Sequence, residues 1–540
     1  MDTRNKQMQC TLFLIIMIDS RRSWTITLIL SCAMTGIASA LPGGQRILYN
    51  PEAVVPPQCY TRTESQYNPC YVCHQDYARG EGRSNYLDDG YLQGDYNFSD
   101  VARQNHWRNL FVDRRAQINT ISDTQIQHYI EQDNYSPLVA RLEPIDFKGY
   151  IPDLENLQKG ADAFDTHGFA LDGSGWVAFH YKPFPSTFWP TNGSTDDVMI
   201  RLPPNFRTTA AGSSSTLIYQ LNLAVMESAI KNMALVPAGR IDEREIGFDL
   251  NDDGELGVIH DFPRPDHYLG GAEETPVISF LYPQGTEFLH SVRYLGVDEK
   301  QMIYPAPRMK ELRYMRKAQF LPVHVIGSLY ADEQLEKEQN MLPYYADLGD
   351  QGISNGFGWY VQGFIEDQDG ALRPQSYEET LFCMGCHTSV GATIDQTFAF
   401  PRKLTGEKGW GYLNLHGMPD APAKGESTGE ILLYLSRVGG GDEFRQNEEM
   451  LERWFTPDGQ IKNKQIRQSD VYTLITPSAT RAYALNKAYR LIVMEQSFIH
   501  GRDATIAPAT NVYEYVTPEQ TSPLPQTLRS TTDIRLDWPR

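Results

Sequence analysis

The chain has 540 residues, 41% hydrophobic and 21% charged, which is enough to bury a sizeable core and long enough for several domains. Its 48 Lys and Arg against 68 Asp and Glu leave a net charge of −20, which excludes a general nucleic-acid binder, because phosphate recognition needs clustered cations. With 30 Tyr, 23 Phe and 8 Trp it is too aromatic to be disordered, and past the N-terminus it has no apolar run of membrane-spanning length, so no transmembrane anchor is expected in the mature chain.

Residues 1–40 read as a signal peptide. Ser20-Arg21-Arg22-Ser23 precedes an apolar run from Trp24 to Ile37, and Ala38-Ser39-Ala40 supplies the small residues of a cleavage site. Met17 is an alternative start. The expected address is the periplasm. Ile29-Leu30-Ser31-Cys32 resembles a lipoprotein box, so anchoring through lipid on Cys32 is the alternative.

The remaining chain divides by sequence character. Residues 41–145 are polar and Tyr-rich, with a helix expected after the cap Asn97-Phe98-Ser99-Asp100, running through His106, and a second from Ser122 to Gln132. In residues 146–345, β-branched and aromatic runs predict strands at 175–181, 215–221 and 277–282. Charged helices are expected at 308–320 and 331–341. In residues 346–440, Ser376-Tyr377-Glu378-Glu379 is a capping box just ahead of Cys383. An extended 395–400 follows, then a loop reaching His416-Gly417-Met418-Pro419, then a helix at 429–436. In residues 441–540, Thr476-Pro477 opens a helix to about Phe498. The fold class expected is α+β, with helical segments flanking a β-containing middle region.

Cysteine placement carries the chemistry. Of seven cysteines, Cys10 and Cys32 lie within the expected signal peptide and five follow it. Four of these form Cys70-Tyr71-Val72-Cys73-His74 and Cys383-Met384-Gly385-Cys386-His387, both C-x-x-C-H. Two thiols three positions apart on one turn reach the two vinyl groups of a haem, and the following His reaches its iron. A zinc site built from both pairs would leave each following His a coincidence. A thioredoxin-like motif would need a βαβ setting, and disulfides across so few residues would be strained.

In these pentads the chain resembles the dihaem c-type cytochromes. The order haem turn, loop, Met-Pro, helix after Cys383 is similar to a class I cytochrome c, so the resemblance implies cytochrome-c-like haem segments on either side of the β-containing middle. It implies two covalent haem c groups on Cys70, Cys73, Cys383 and Cys386, with His74 and His387 as proximal iron ligands. Candidate distal ligands are Met418 or its close rival His416 for the second haem, and His106, with His128 as runner-up, for the first. Two functions follow from the resemblance. One is a periplasmic oxidoreductase with one electron-relay haem and one reactive haem. The other is an electron carrier between periplasmic partners. Either would use a redox partner protein, with a basic one suiting the acidic surface. Cys59 is the odd cysteine, read as buried and inert, as an axial thiolate, or as an intermolecular link.

A separate signal is Asp249-Leu250-Asn251-Asp252-Asp253-Gly254-Glu255, which matches the opening of an EF-hand-type loop. Asp249, Asn251, Asp253 and Glu255 are its candidate calcium ligands. His260 stands where the closing acid belongs, and Asp/Asn/Gly clusters also make plain turns.

Overall fold

Two long antiparallel strands, β3 (Glu287–Val297) and β4 (Ile303–Lys317), organise the molecule. In this computed structural model the described residues are 47–539, apart from 78–80, 86–88, 95–97, 186–187, 440–446 and 518–523. The expected signal peptide, with Met17 and Cys32, lies outside them. Around β3 and β4 stand β1 (Val177–Ala178), β2 (Thr195–Arg201), β5 (Ile353–Ser354), β6 (Trp359–Glu366) and β7 (Leu372–Pro374). They form one antiparallel sheet ordered β1-β2-β3-β4-β6-β7, with β5 also on β6. Helices accompany this sheet, so the fold is α+β. Leu48–Arg540 form one unit, and the segment limits above mark changes in sequence character within it.

Because side chains alternate across a strand, register decides what each sheet face carries. His290 lies opposite Val198 on one side and Arg313 on the other, while Phe288 pairs with Met315 and Val292 with Glu311. These residues share one face and form a wall of the cavity described below. The alternate residues Met199, Leu289, Leu312 and Phe364 face the other way, into a core with Trp176 and with Leu138 and Leu142 of or beside α2 (Ser136–Leu142), which follows α1 (Asp123–Ile130) in the chain.

The largest departures from expectation are in this middle region. The charged stretch 308–320, read as a helix, is mostly β4. Its charges do not cover a solvated helix face: buried Arg308 donates to buried Glu366 at 2.9 Å, and buried Glu311 accepts from the half-buried Arg313 at 2.9 Å and Arg502 at 2.8 Å. Conversely, 215–221, read as a strand, begins helix α3 (Thr216–Lys231). Ser215 caps it by accepting from the Ile218 amide, and its residues are buried nearly all round, so the short apolar run lacked the periodicity that separates helix from strand. No strand forms at 277–282, where Phe280 has φ 64° and Tyr282 gives its amide to Asp395.

The expected helix through His106 is also absent. One turn closes on Ser99, after which Gln104 pairs with Tyr515 and Asn105 binds the Glu514 carbonyl. Asn97 lies outside the described residues. By contrast, α1 begins with the Ser122–Gln125 capping box, and α4 (Val323–Glu338) starts earlier than expected. The Ser376–Glu379 capping box opens α5 (Tyr377–Leu381). Helices α6 (Glu430–Val438) and α7 (Ala479–Glu495) fall where the sequence places them.

Candidate functional site

Both pentads fold into the same tight turn from unrelated flanks. Pro69 starts the first, Pro69–Val72, where its missing N–H costs nothing. Helix α5 leads into the second, Phe382–Gly385. Each is a 3₁₀ turn that holds the first cysteine and is capped by the second, so one turn of backbone separates the two cysteines of a pair. In the first, the Cys70 carbonyl accepts from the amides of Cys73 at 3.1 Å and His74 at 2.9 Å. In the second, the Cys383 carbonyl accepts from Cys386 at 3.2 Å and His387 at 3.0 Å.

The two turns are neighbours. Ala392, shortly after the second pentad, donates its amide to the Cys73 carbonyl at 3.0 Å, and Arg83 donates to the carbonyl of Thr393 at 2.9 Å. Gly385 is needed at its place, since a Cβ there would lie 2.7 Å from the Val54 carbonyl oxygen. Both pentads and Cys59 border one cavity of about 810 Å³, toward the large end of the roughly 300–1,000 Å³ usual for ligand pockets. Phe184, Phe398 and Phe382 supply apolar surface, Arg313 and Arg502 supply cationic heads, and the β2–β3–β4 sheet face closes one side.

Burial sets the protonation of these groups. The Cys383 thiol is raised by burial, and Cys386 is pushed up to about 12 by burial and by the neighbouring Cys383 and Cys59 thiols. Burial lowers His387 to about 4, so its imidazole is neutral. A carbonyl only accepts, so the 2.8 Å contact between His387 Nδ1 and the Gln396 oxygen puts the proton on Nδ1 and leaves the Nε2 lone pair available. Glu311 is held at about 2: burial alone would raise it, but Arg313 and Arg502 outweigh that.

Two expected results follow. With Cys386 reduced, its raised pKa means a thiolate fraction roughly a thousandfold below that of an ordinary cysteine near neutral pH. Iodoacetamide should therefore label Cys386 far more slowly in the folded chain than after denaturation, as peptide mass spectrometry would read; equal rates would contradict the burial described. A carboxyl depressed in the folded state stabilises above its unfolded pKa and stops doing so as pH falls through the folded value. Glu311, and Glu430 at about 2 beside Arg402 and Lys182, should thus keep stability level down to about pH 5 and erode it between about pH 4.5 and 2. Denaturant midpoints measured across that range test this.

The other sequence candidates lie elsewhere. Met418, His416 and His106 are not among the residues that border the cavity. Met418 is buried in the main core, its carbonyl accepting from Val471 at 2.8 Å. His416 is exposed and stacks on Tyr472 at 3.7 Å between centroids. His106 meets Tyr49 edge-on at 5.5 Å, and His128, on α1, contacts Gln132. In the acidic loop, Asp249 accepts from the amides of Asp253 and Gly254, Asp253 accepts from the amide of Glu255, and Asn251 donates to Asp253. Three of the four candidate calcium ligands, Asp249, Asn251 and Asp253, therefore hydrogen-bond within their own turn. Among the described residues no group of three or more His, Cys, Asp or Glu side chains is gathered to hold a metal ion, this loop included. Sequence reasoning left His290 among many undifferentiated histidines and missed Arg313 and Arg502. The available signal was the period-two pattern through Phe288, His290 and Val292.

A family model whose description reads "-like lipoprotein" matches residues 45–473. A relative from Aquifex aeolicus (strain VF5), named "Uncharacterized lipoprotein", is 33% identical over 541 residues, covering 88% of this chain and 90% of its own. No solved structure matches. These findings correct the reading of the chain as a dihaem c-type cytochrome. The matches are to lipoproteins whose descriptions carry no redox activity, and no side-chain cluster for a metal ion stands among the described residues. The oxidoreductase and electron-carrier functions fall with that reading. The local chemistry of the two Cys-x-x-Cys-His turns is a property of those residues and does not depend on the family.

Proposed function

Since the chain belongs to this lipoprotein family, we propose that it is a lipid-anchored protein whose cavity houses covalently attached prosthetic groups. The observation that carries this reading is the turn built twice, each time bringing two cysteines and a histidine to the border of one cavity. Haem c is the group that the thiol spacing suits. Each S–H adds across a vinyl C=C, forming one C–S and one C–H bond, so nothing is released and no oxidant is used. Cys70 and Cys73 would hold one group and Cys383 and Cys386 the other, with His74 and His387 as the residues that would bind the metal.

The residues present fit such a group. A metal carried in a macrocycle needs at most two protein ligands, so it calls for no three-residue cluster. The apolar cavity would receive the ring, and His387 has its Nε2 lone pair available. When bound, haem supplies a metal centre whose remaining axial position the protein either fills or leaves open. The Cys383 and Cys386 thiols of the folded chain are poor nucleophiles, so attachment at this pair precedes closure of the fold. That order suits an exported chain held on the outer face of a membrane by lipid on Cys32. No described helix is long and apolar enough to cross a membrane.

The test is extraction. The full chain, exported by a host that attaches haem, should retain its colour through denaturation and acidified organic solvent, and give two haems per chain as the pyridine complex. A colourless chain, or one stripped by solvent, would overturn the reading.

A further inference from the structure

Of the histidines bordering the cavity, two belong to the pentads, His74 and His387, and the third is His290. It stands mid-strand on β3, with Val198 and Arg313 as its sheet neighbours. Strands on both sides fix its backbone, so its side chain points to the cavity face by register alone. Its Nε2 is buried without a hydrogen bond; Asp196 Oδ2 is 3.5 Å away, too far for one. Asp196 Oδ1 is likewise buried without a hydrogen bond. A buried ring nitrogen without a hydrogen bond calls for an explanation, and here the half-buried ring, with Asp196 as its charged neighbour, faces the space that the second pentad also borders.

We infer that His290, with Asp196 beside it, is the axial ligand that the sheet presents to the metal of the group carried on Cys383 and Cys386, opposite His387. The inference rests on the proposed occupancy and adds what that reading leaves open, the identity of the sixth ligand. It places that ligand on the sheet rather than in the loop containing His416 and Met418. Asp196 is a positioning residue: its carboxylate, 3.5 Å from the ring, biases the orientation of the imidazole at the cavity wall.

The test uses the exported, haem-loaded full chain. In the unaltered protein, one haem should give the low-spin electron-paramagnetic-resonance signal of two imidazole ligands. His290→Ala should retain two covalent haems per chain, convert that haem to high spin, and regain low spin when imidazole is added. His290→Met should instead bring a sulfur-to-iron absorption band, a second readout if the alanine variant folds poorly. A His290→Ala protein with two haems and an unchanged spectrum would overturn the inference and leave the occupancy standing, as would an unaltered protein lacking the two-imidazole signal. An unaltered chain without covalent haem would overturn both.

Discussion

Replacing Cys383 and Cys386 together by alanine should halve the covalent haem of the exported chain, from two per chain to one, and the Cys70/Cys73 double variant should do the same. Each pair sits on its own turn with its own carbonyl acceptor, so loss of one leaves the other's attachment geometry in place. The second turn is the more tightly enclosed: Cys383 is buried, and Gly385 abuts the chain leading to Cys59. The Cys383/Cys386 variant should therefore lose more stability as well, because an empty apolar space remains where the ring would pack. Equal haem content in the unaltered chain and in both double variants, read by absorbance of the pyridine complex against protein mass, would show that the pairs hold nothing.

The second large effect concerns the fold. Arg402 and Lys182 have fully buried side chains. Arg402 binds Glu430 through two contacts at 2.8 and 2.5 Å and donates to the Lys182 carbonyl at 2.9 Å, while Lys182 lies 2.9 Å from Asp420 and 3.0 Å from Glu430. These contacts join three stretches far apart in the chain. Glu430→Ala removes the carboxylate both cations share and leaves Arg402 buried without its ion-pair partner. Breaking a buried pair in this way costs roughly 3–5 kcal/mol. The variant should unfold at clearly lower denaturant, whereas Glu426→Ala, at a half-buried neighbour on the same stretch, should change little. Matching midpoints for the two would contradict the role given to Glu430.

What was legible in the sequence was local. The Ser122 and Ser376 capping boxes need only four adjacent residues, and both helix starts stand where those residues are. The pentads were legible for the same reason, since their geometry is confined to one turn. What was not legible depended on partners distant in the chain. Charge along 308–317 reads as a solvated helix until Glu366 and Arg502, which neutralise it from other elements, are known. Residues 215–221 have no single apolar face because α3 is buried nearly all round. Met418 followed by Pro419 matched a ligand loop in order only, while the cavity is assembled by strands whose register no local pattern states. His290 belongs to that register, and so did the missed arginine Arg313.

The most direct measurement is the intact mass of the denatured, exported full chain, followed by peptide mapping. The account predicts two additions of the full haem mass, one on the peptide containing Cys70–His74 and one on that containing Cys383–His387, with neither pair available to an alkylating reagent. An unmodified mass, with all four thiols alkylated after denaturation, would contradict it.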